Sequence, residues 1–219
     1  MHYKINDKLI KSEYAAKSIK QANKEVLKII NELPNDIVTL DYGCGKLRYT
    51  IHLSKKVKHV YSVDSNEQIN RKQLIKDAKT TVKDYSNRLD NVTVFSLEDN
   101  GWKKNKYDFI ICCNVLSAIP IYRERIVIFK NIKKLLSNNG KALISTQYSN
   151  SYFNEYKIRK DCKKYYDGWI INGKKNTAFY GIITLEKMIY YATKVGLNVE
   201  KSYKKNGSAY LIVNINNSK

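Results

Sequence analysis

Nowhere in the 219 residues do apolar side chains run for the roughly 18 to 20 positions that a helix needs to cross a bilayer. The first fourteen residues, MHYKINDKLIKSEY, have no apolar core of the kind a secretory leader carries, so the cytoplasm is the expected compartment. Cysteine is scarce: Cys44, Cys112, Cys113 and Cys162, with no CxxC pair. Adjacent cysteines cannot easily serve one tetrahedral ion, so no metal site is expected and the thiols read as reduced and mostly buried. No linker, low-complexity tract or internal repeat divides the chain, which predicts a single domain over 1–219. Acidic side chains are outnumbered: 20 Asp and Glu face 40 Lys and Arg, a formal charge of +20. Such an excess attracts polyanions. It is nearly all lysine, however, spread from end to end, and lysine also serves solubility without any partner.

What is present reads as alternating helices and strands. Residues 12–33 carry apolar side chains at helical spacing until Pro34, giving an N-terminal helical segment within 1–35. Short apolar runs at 36–41, 57–63, 92–95, 107–113 and 141–146 read as buried strands. Helices are expected from Leu47, over 66–89, and over 123–136, the last closed by Asn138-Asn139-Gly140. Thr184 can cap a further helix that Gly196 ends. The Asn206-Gly207 pair between two β-rich runs signals a closing hairpin. The pattern calls for an α/β fold with a mostly parallel sheet covered on both faces and an antiparallel final strand.

The chemistry gathers where the first strand ends, in Leu40-Asp-Tyr-Gly-Cys-Gly-Lys-Leu-Arg-Tyr49. Glycines at a strand-to-helix turn allow tight backbone conformations and close approach of a ligand. A dinucleotide turn would want GxGxxG, and the third glycine is missing. A phosphate-binding P-loop would need glycine at 40 and Ser or Thr at 47, where leucines stand. Asp41 would repel a pyrophosphate but favours a cation. Asp64, about twenty residues on and at the second strand's end, has the spacing of a carboxylate that grips both ribose hydroxyls. The implied ligand has a ribose and a cationic portion, and no diphosphate.

VTLDYGCGKLRYT followed by VYSVDSNEQI resembles the cofactor-binding half of the class I S-adenosylmethionine-dependent methyltransferases, and the likeness extends over roughly 36–215. YDFIICCNVLSAI is similar to that family's fourth strand and the segment after it, and SNNGKALIST to the turn into its fifth strand. Leu47 departs from the pattern. The resemblance implies a Rossmann-like three-layer sandwich with a seven-stranded sheet. It implies S-adenosylmethionine as cofactor, held by Asp41, Gly43, Cys44, Gly45 and Asp64, with Glu98 or Asp99 at the adenine and Trp102 nearby. Asn114 matches a position that often lines both cofactor and acceptor. Lys46 and Arg48, at the helix start, are read as solvated surface, with contact to the cofactor carboxylate as the alternative.

Methyl transfer from a sulfonium needs placement more than an acid or base, and no catalytic side chain advertises itself. The tetrapeptide [DNS]PP[YFW] is absent, Asn114-Val-Leu-Ser117 standing in its place, and there is no Pro-Cys pair. The acceptor is expected to meet residues 147–183, an insertion rich in tyrosine and lysine, with Asn114 and Tyr148 as acceptor-side candidates. Aromatic faces stack on bases and cations meet phosphates, which leans the acceptor slightly toward nucleic acid. A small-molecule acceptor and a non-catalytic module in a partner complex stay open. An NAD-dependent enzyme is disfavoured by the missing glycine and the closing hairpin.

Overall fold

The computed structural model describes residues 2–5, 7–16, 19–148, 151–173 and 177–215. Seven strands form the main sheet: β1 (Val38–Tyr42), β2 (His59–Asp64), β3 (Val92–Ser96), β4 (Tyr107–Cys113), β5 (Leu136–Gln147), β6 (Asn198–Lys205) and β7 (Ser208–Asn214). Their order is β6-β7-β5-β4-β1-β2-β3. The pairings β4-β1, β1-β2 and β2-β3 are parallel, while β7 runs antiparallel to both β5 and β6. This is the expected α/β Rossmann-like fold with its antiparallel final strand. The chain divides into two compact units, residues 16–111 and residues 1–15 with 112–219.

In the unit 16–111, parallel strands carry side chains buried on both sides, and Leu40, Val60, Val63 and Ile110 are shielded from water. Helix Lys24–Asn31 begins where Asn23 accepts hydrogen bonds from the Glu25 and Val26 amides, and it buries Val26 and Ile30. Among the described residues of the expected 1–35 helical segment it is the only α-helix; residues 12–15 and 19–21 are single 3-10 turns. The long helix expected over 66–89 is also absent. Helices Asn66–Asn70 and Val82–Ser86 flank a small hairpin, Gln73–Ile75 with Ala78–Thr80. Its cause is a period-two stretch, Gln73 and Ile75 buried and Leu74 exposed, which a helix cannot accommodate.

In the other unit, helix Tyr122–Leu135 ends without the expected glycine cap. Leu136 turns extended (φ −63°, ψ 138°) and β5 starts at once, so Asn138, Asn139 and Gly140 lie inside the strand. The Thr184 cap is present, its hydroxyl accepting from the Lys187 amide, and Gly196 follows helix Leu185–Lys194 at φ 74°. Asn206 and Gly207, at φ 50° and 72°, form the closing turn.

A second sheet lies wholly in this unit. Strands His2–Ile5 and Lys8–Lys11 pair as a hairpin, correcting the helical expectation for the first residues. They join Thr177–Gly181, Gly168–Asn172 and Cys162–Tyr165 through a parallel bridge from Ile10 to Thr177. Trp169, Ile170 and Phe179 are buried and form its core with Tyr3, Ile5 and Ile10. Gly168 faces Gly181 across the pair. A Cβ at 168 would overlap the Tyr180 carbonyl oxygen and sit 2.6 Å from the Phe179 ring and 2.7 Å from the Gly181 Cα. Backbone cannot give way cheaply, so Gly168→Ala should destabilise the protein by about 2–3 kcal/mol in urea unfolding. A change within about 0.5 kcal/mol would show that the sheet relaxes.

Candidate active site

The site is built first from the bend after β1. Gly43 and Gly45 adopt φ 83° and 57°, which only glycine takes without strain. The Gly43 and Cys44 amides both donate to the Val63 carbonyl, at 2.8 and 3.1 Å, tying the bend to β2. The Gly45 amide donates to Asp64 Oδ2 at 2.8 Å, and the Ser65 amide to Asp64 Oδ1 at 2.7 Å. Gln68 Nε2 donates to the Gly45 carbonyl at 2.6 Å, and Gln68 is itself held by Gln73 and Arg71. Bend and second strand tip are therefore one stapled piece. The Gly43, Cys44 and Gly45 amides are thus all engaged by β2.

The helix expected from Leu47 is also displaced. Leu47 sits at φ 60°, its amide bonded to the Cys44 carbonyl at 2.9 Å, and the helix spans only Thr50–Leu53. Leu47 is fully buried with Cys44, Ile51, Ile69, Ile75, Val82 and Tyr85. A buried leucine at a left-handed position explains the departure at 47: this position contributes packing. The burial outweighs a backbone strain of about 1–2 kcal/mol.

Asp41 is 2 % exposed. Thr50 Oγ1 donates to its Oδ2 at 2.7 Å and lies 2.9 Å from Ser62 Oγ. Burial raises the Asp41 pKa to about 6; the Thr50 hydrogen bond and the Arg48 charge oppose the rise, and Asp64 adds to it. Arg48, expected in solvent, is buried; it donates to the Gln21 carbonyl at 3.4 Å and lies over the Tyr49 ring. Lys46 is half-buried, and burial lowers its pKa, with the Arg71 charge pushing the same way. The Cys44 thiol is pushed well up, by burial first and then by Asp64 and Asp41, so it stays protonated.

At the next tip the Leu97 amide donates to the Asp64 carbonyl at 2.8 Å. Asp99 Oδ2 accepts from the Ser96 amide at 2.8 Å, closing a tight turn, while Glu98 is exposed. Trp102 is buried edge-on against Tyr42, 5.5 Å between ring centroids, and its Nε1 has no hydrogen-bond partner among the described residues. Asp41, Gly43, Cys44, Gly45, Asp64, Glu98 and Asp99 thus share one unit. Thr50, Ser62 and Gln68, which position them, carried no signal in the sequence, because only folding brings them to the turn.

Asn114 and Tyr148 belong to the other unit. Asn114 stands at φ 62°; its amide donates to the Ser145 carbonyl at 2.8 Å, and its Oδ1 accepts from the Gln147 amide at 3.1 Å. Tyr148 donates its amide to the Gly207 carbonyl, and Lys204 Nζ lies 5.4 Å from its ring centre. Cys112 and Cys113 are buried, as the strand pattern predicts. Of the aromatics in 147–183, Trp169 and Phe179 are core and Tyr166 is exposed; the side chains of Tyr152 and Phe153 lie outside the described residues.

A glycine bend stapled to an acid at the next strand tip, on a sheet of this order, defines a methyltransferase-type scaffold. The methyltransferase domain family model matches residues 14–200, and the chain belongs to that family. It is 35% identical over 214 residues to the uncharacterized protein YmfD of Escherichia coli (strain K12), covering 97% of this chain and 96% of that protein. Among solved structures it is similar to the PH0226 protein of Pyrococcus horikoshii OT3, with 16% identity, 94% and 100% of the two chains covered and a TM-score of 0.69. A S-adenosylmethionine-dependent methyltransferase of Clostridium acetobutylicum ATCC 824 aligns at 17% identity over 90% and 93% of the chains, TM-score 0.59. At these identities the two structures bear on the fold.

Proposed function

We propose that this protein transfers a methyl group from S-adenosylmethionine to an acceptor. The observation that carries the reading is the Asp64 carboxylate at the β2 tip, bonded to the glycine bend through Gly45. Its oxygens accept the Gly45 and Ser65 amides, and a carboxylate is an acceptor-only group of the kind that ribose hydroxyls bond. Asp41 supplies a buried negative charge suited to the ligand's ammonium group, which supports the fit of a cationic, diphosphate-free cofactor. Glu98 is the freer of the two adenine candidates, since Asp99 is engaged in its own turn. The unpartnered Trp102 indole N–H is a donor that a ring nitrogen would satisfy. The cofactor supplies an activated methyl on sulfonium. The chain's share is to hold and orient it and to bring the acceptor to it.

For the acceptor, the +20 charge and the aromatic and basic insertion at 147–183 favour nucleic acid, with Asn114 and Tyr148 on the acceptor side. Calorimetric titration with S-adenosylmethionine should give binding on the micromolar scale. Incubation with methyl-labelled cofactor and fractionated cell extract should then label one fraction, nucleic acid on this reading. No binding at millimolar cofactor would remove the proposal.

A further inference from the structure

An open cleft of about 850 Å³ lies within the unit 1–15 and 112–219, formed from the start of helix Tyr122–Leu135, the hairpin tip at Tyr166-Asp167 and Lys187. That volume falls in the range of small-ligand sites, roughly 300–1,000 Å³. None of the residues assigned to the cofactor lines it.

Its frame is rigid. Arg125, 1 % exposed, donates through Nε to the Ile119 carbonyl at 2.8 Å. Its other nitrogens donate to both Asp167 oxygens, at 2.5 and 3.0 Å. Lys187 Nζ donates to Asp167 Oδ2 at 3.1 Å. Glycine at 181 leaves room for this arrangement, since a Cβ there would sit 3.1 Å from the Arg125 Nη2. The hairpin tip is thus anchored to the helix start by a bidentate pair.

The tip itself has the wrong residue for its geometry. Tyr165 pairs with Gly168, so Tyr166 and Asp167 form a two-residue turn, and Tyr166 adopts φ 43°. Glycine or asparagine belongs at such a position, and a bulky aromatic there is an outlier. Tyr166 gains nothing by burial in return, being 81 % exposed, with its ring against the Tyr165 ring at 4.6 Å. Strain of this kind, held in place by an ion pair beside a cleft, points to use rather than to folding. Tyr122, 42 % exposed, brings a second ring to the same cleft, packed edge-on against Tyr191 at 5.5 Å with Lys194 Nζ 5.7 Å from its centre. Arg123, Arg125 and Lys187 bring three cations against the one carboxylate of Asp167, which Arg125 and Lys187 already engage. Flat rings beside surplus cations suit a ligand that is itself a flat ring joined to an anion.

We infer that this cleft binds a nucleotide unit, its base stacked on Tyr166 and its phosphate met by Arg123 and Lys187. The shared chemistry is a base and a phosphate, from a single strand or a free nucleotide. That the unit presents the methyl acceptor rests on the reading under Proposed function; the binding itself does not.

Fluorescence anisotropy with labelled 15-nucleotide oligouridylate and oligothymidylate, at two salt concentrations, tests it. Tyr166→Gly is the decisive variant, because the turn welcomes glycine and the protein should melt no earlier than the wild type. It should weaken oligonucleotide binding about 5- to 100-fold. Arg123→Gln should reduce the slope of log affinity against log salt by about one. Displacement of the probe by millimolar uridine monophosphate assigns the site to free nucleotides; oligonucleotide binding that resists it assigns a strand. Undiminished binding by a folded Tyr166→Gly, or no binding of either probe at low salt, overturns the inference. Calorimetry with S-adenosylmethionine on the same wild-type preparation separates the failures: cofactor bound without nucleotide sinks only this site, and the reverse sinks only the methyltransferase reading.

Discussion

Asp64→Ala should lower the affinity for S-adenosylmethionine by roughly 100-fold or more, since two hydrogen bonds to a charged group contribute about 3 kcal/mol or more together. The substitution also removes acceptors from the Gly45 and Ser65 amides, so a loss of binding could arise from a loosened bend. Gln68→Ala separates the two effects. It deletes the hydrogen bond to the Gly45 carbonyl on the other side of the same bend while leaving the carboxylate untouched. Calorimetry on both variants, with unfolding curves alongside, should show similar modest losses of stability. Only Asp64→Ala should show the large loss of affinity. Equal binding by wild type and Asp64→Ala would remove Asp64 from the site. An equal fall in Gln68→Ala would reduce Asp64 to a staple of the bend.

The features legible in the sequence are those that local chemistry dictates. β1, β2 and β4 announce themselves as short apolar runs, Thr184 as a cap, and Asn206-Gly207 as a hairpin turn, because each rests on a few adjacent residues. The acids at the tips of β1 and β2 follow from the same runs. Long-range pairings left no such mark. The bridge from Ile10 to Thr177 joins residues far apart in the chain, and nothing in HYKI or KLIK names its partner. Arg48 read as solvated because arginine usually is, yet a tyrosine ring and a backbone carbonyl hold it inside. Leu47 read as a defect in a motif, whereas the hydrophobic cluster around it makes it a core residue. The ion pair of Arg125 with Asp167 joins a helix to a hairpin that the sequence outlined separately, and only the fold brings them together.

Asp41→Asn should stabilise the cofactor-free protein by about 3 kcal/mol at pH 7.5 and by far less at pH 4.5. The folded-state pKa of Asp41 is raised from 3.8 to about 6, chiefly by burial. Below the unfolded value the carboxyl is protonated in both states and contributes no pH-dependent difference. As pH rises from about 4 to 6 the unfolded chain ionises first, and folding must keep the proton or bury the charge. Stability from this group therefore falls across that window and stays reduced above it, by about 1.4 kcal/mol for every pH unit the window spans. Asparagine keeps an oxygen to accept the Thr50 hydrogen bond and has no charge to bury. Urea unfolding of both proteins at the two pH values isolates the effect, because every other titrating group is common to them. An identical stability difference at both values would refute a raised Asp41. The same variant should bind S-adenosylmethionine more weakly, having lost the charge that favours its ammonium group. A gain in stability coupled to a loss in binding is what separates a carboxylate kept for a ligand from one kept for the fold.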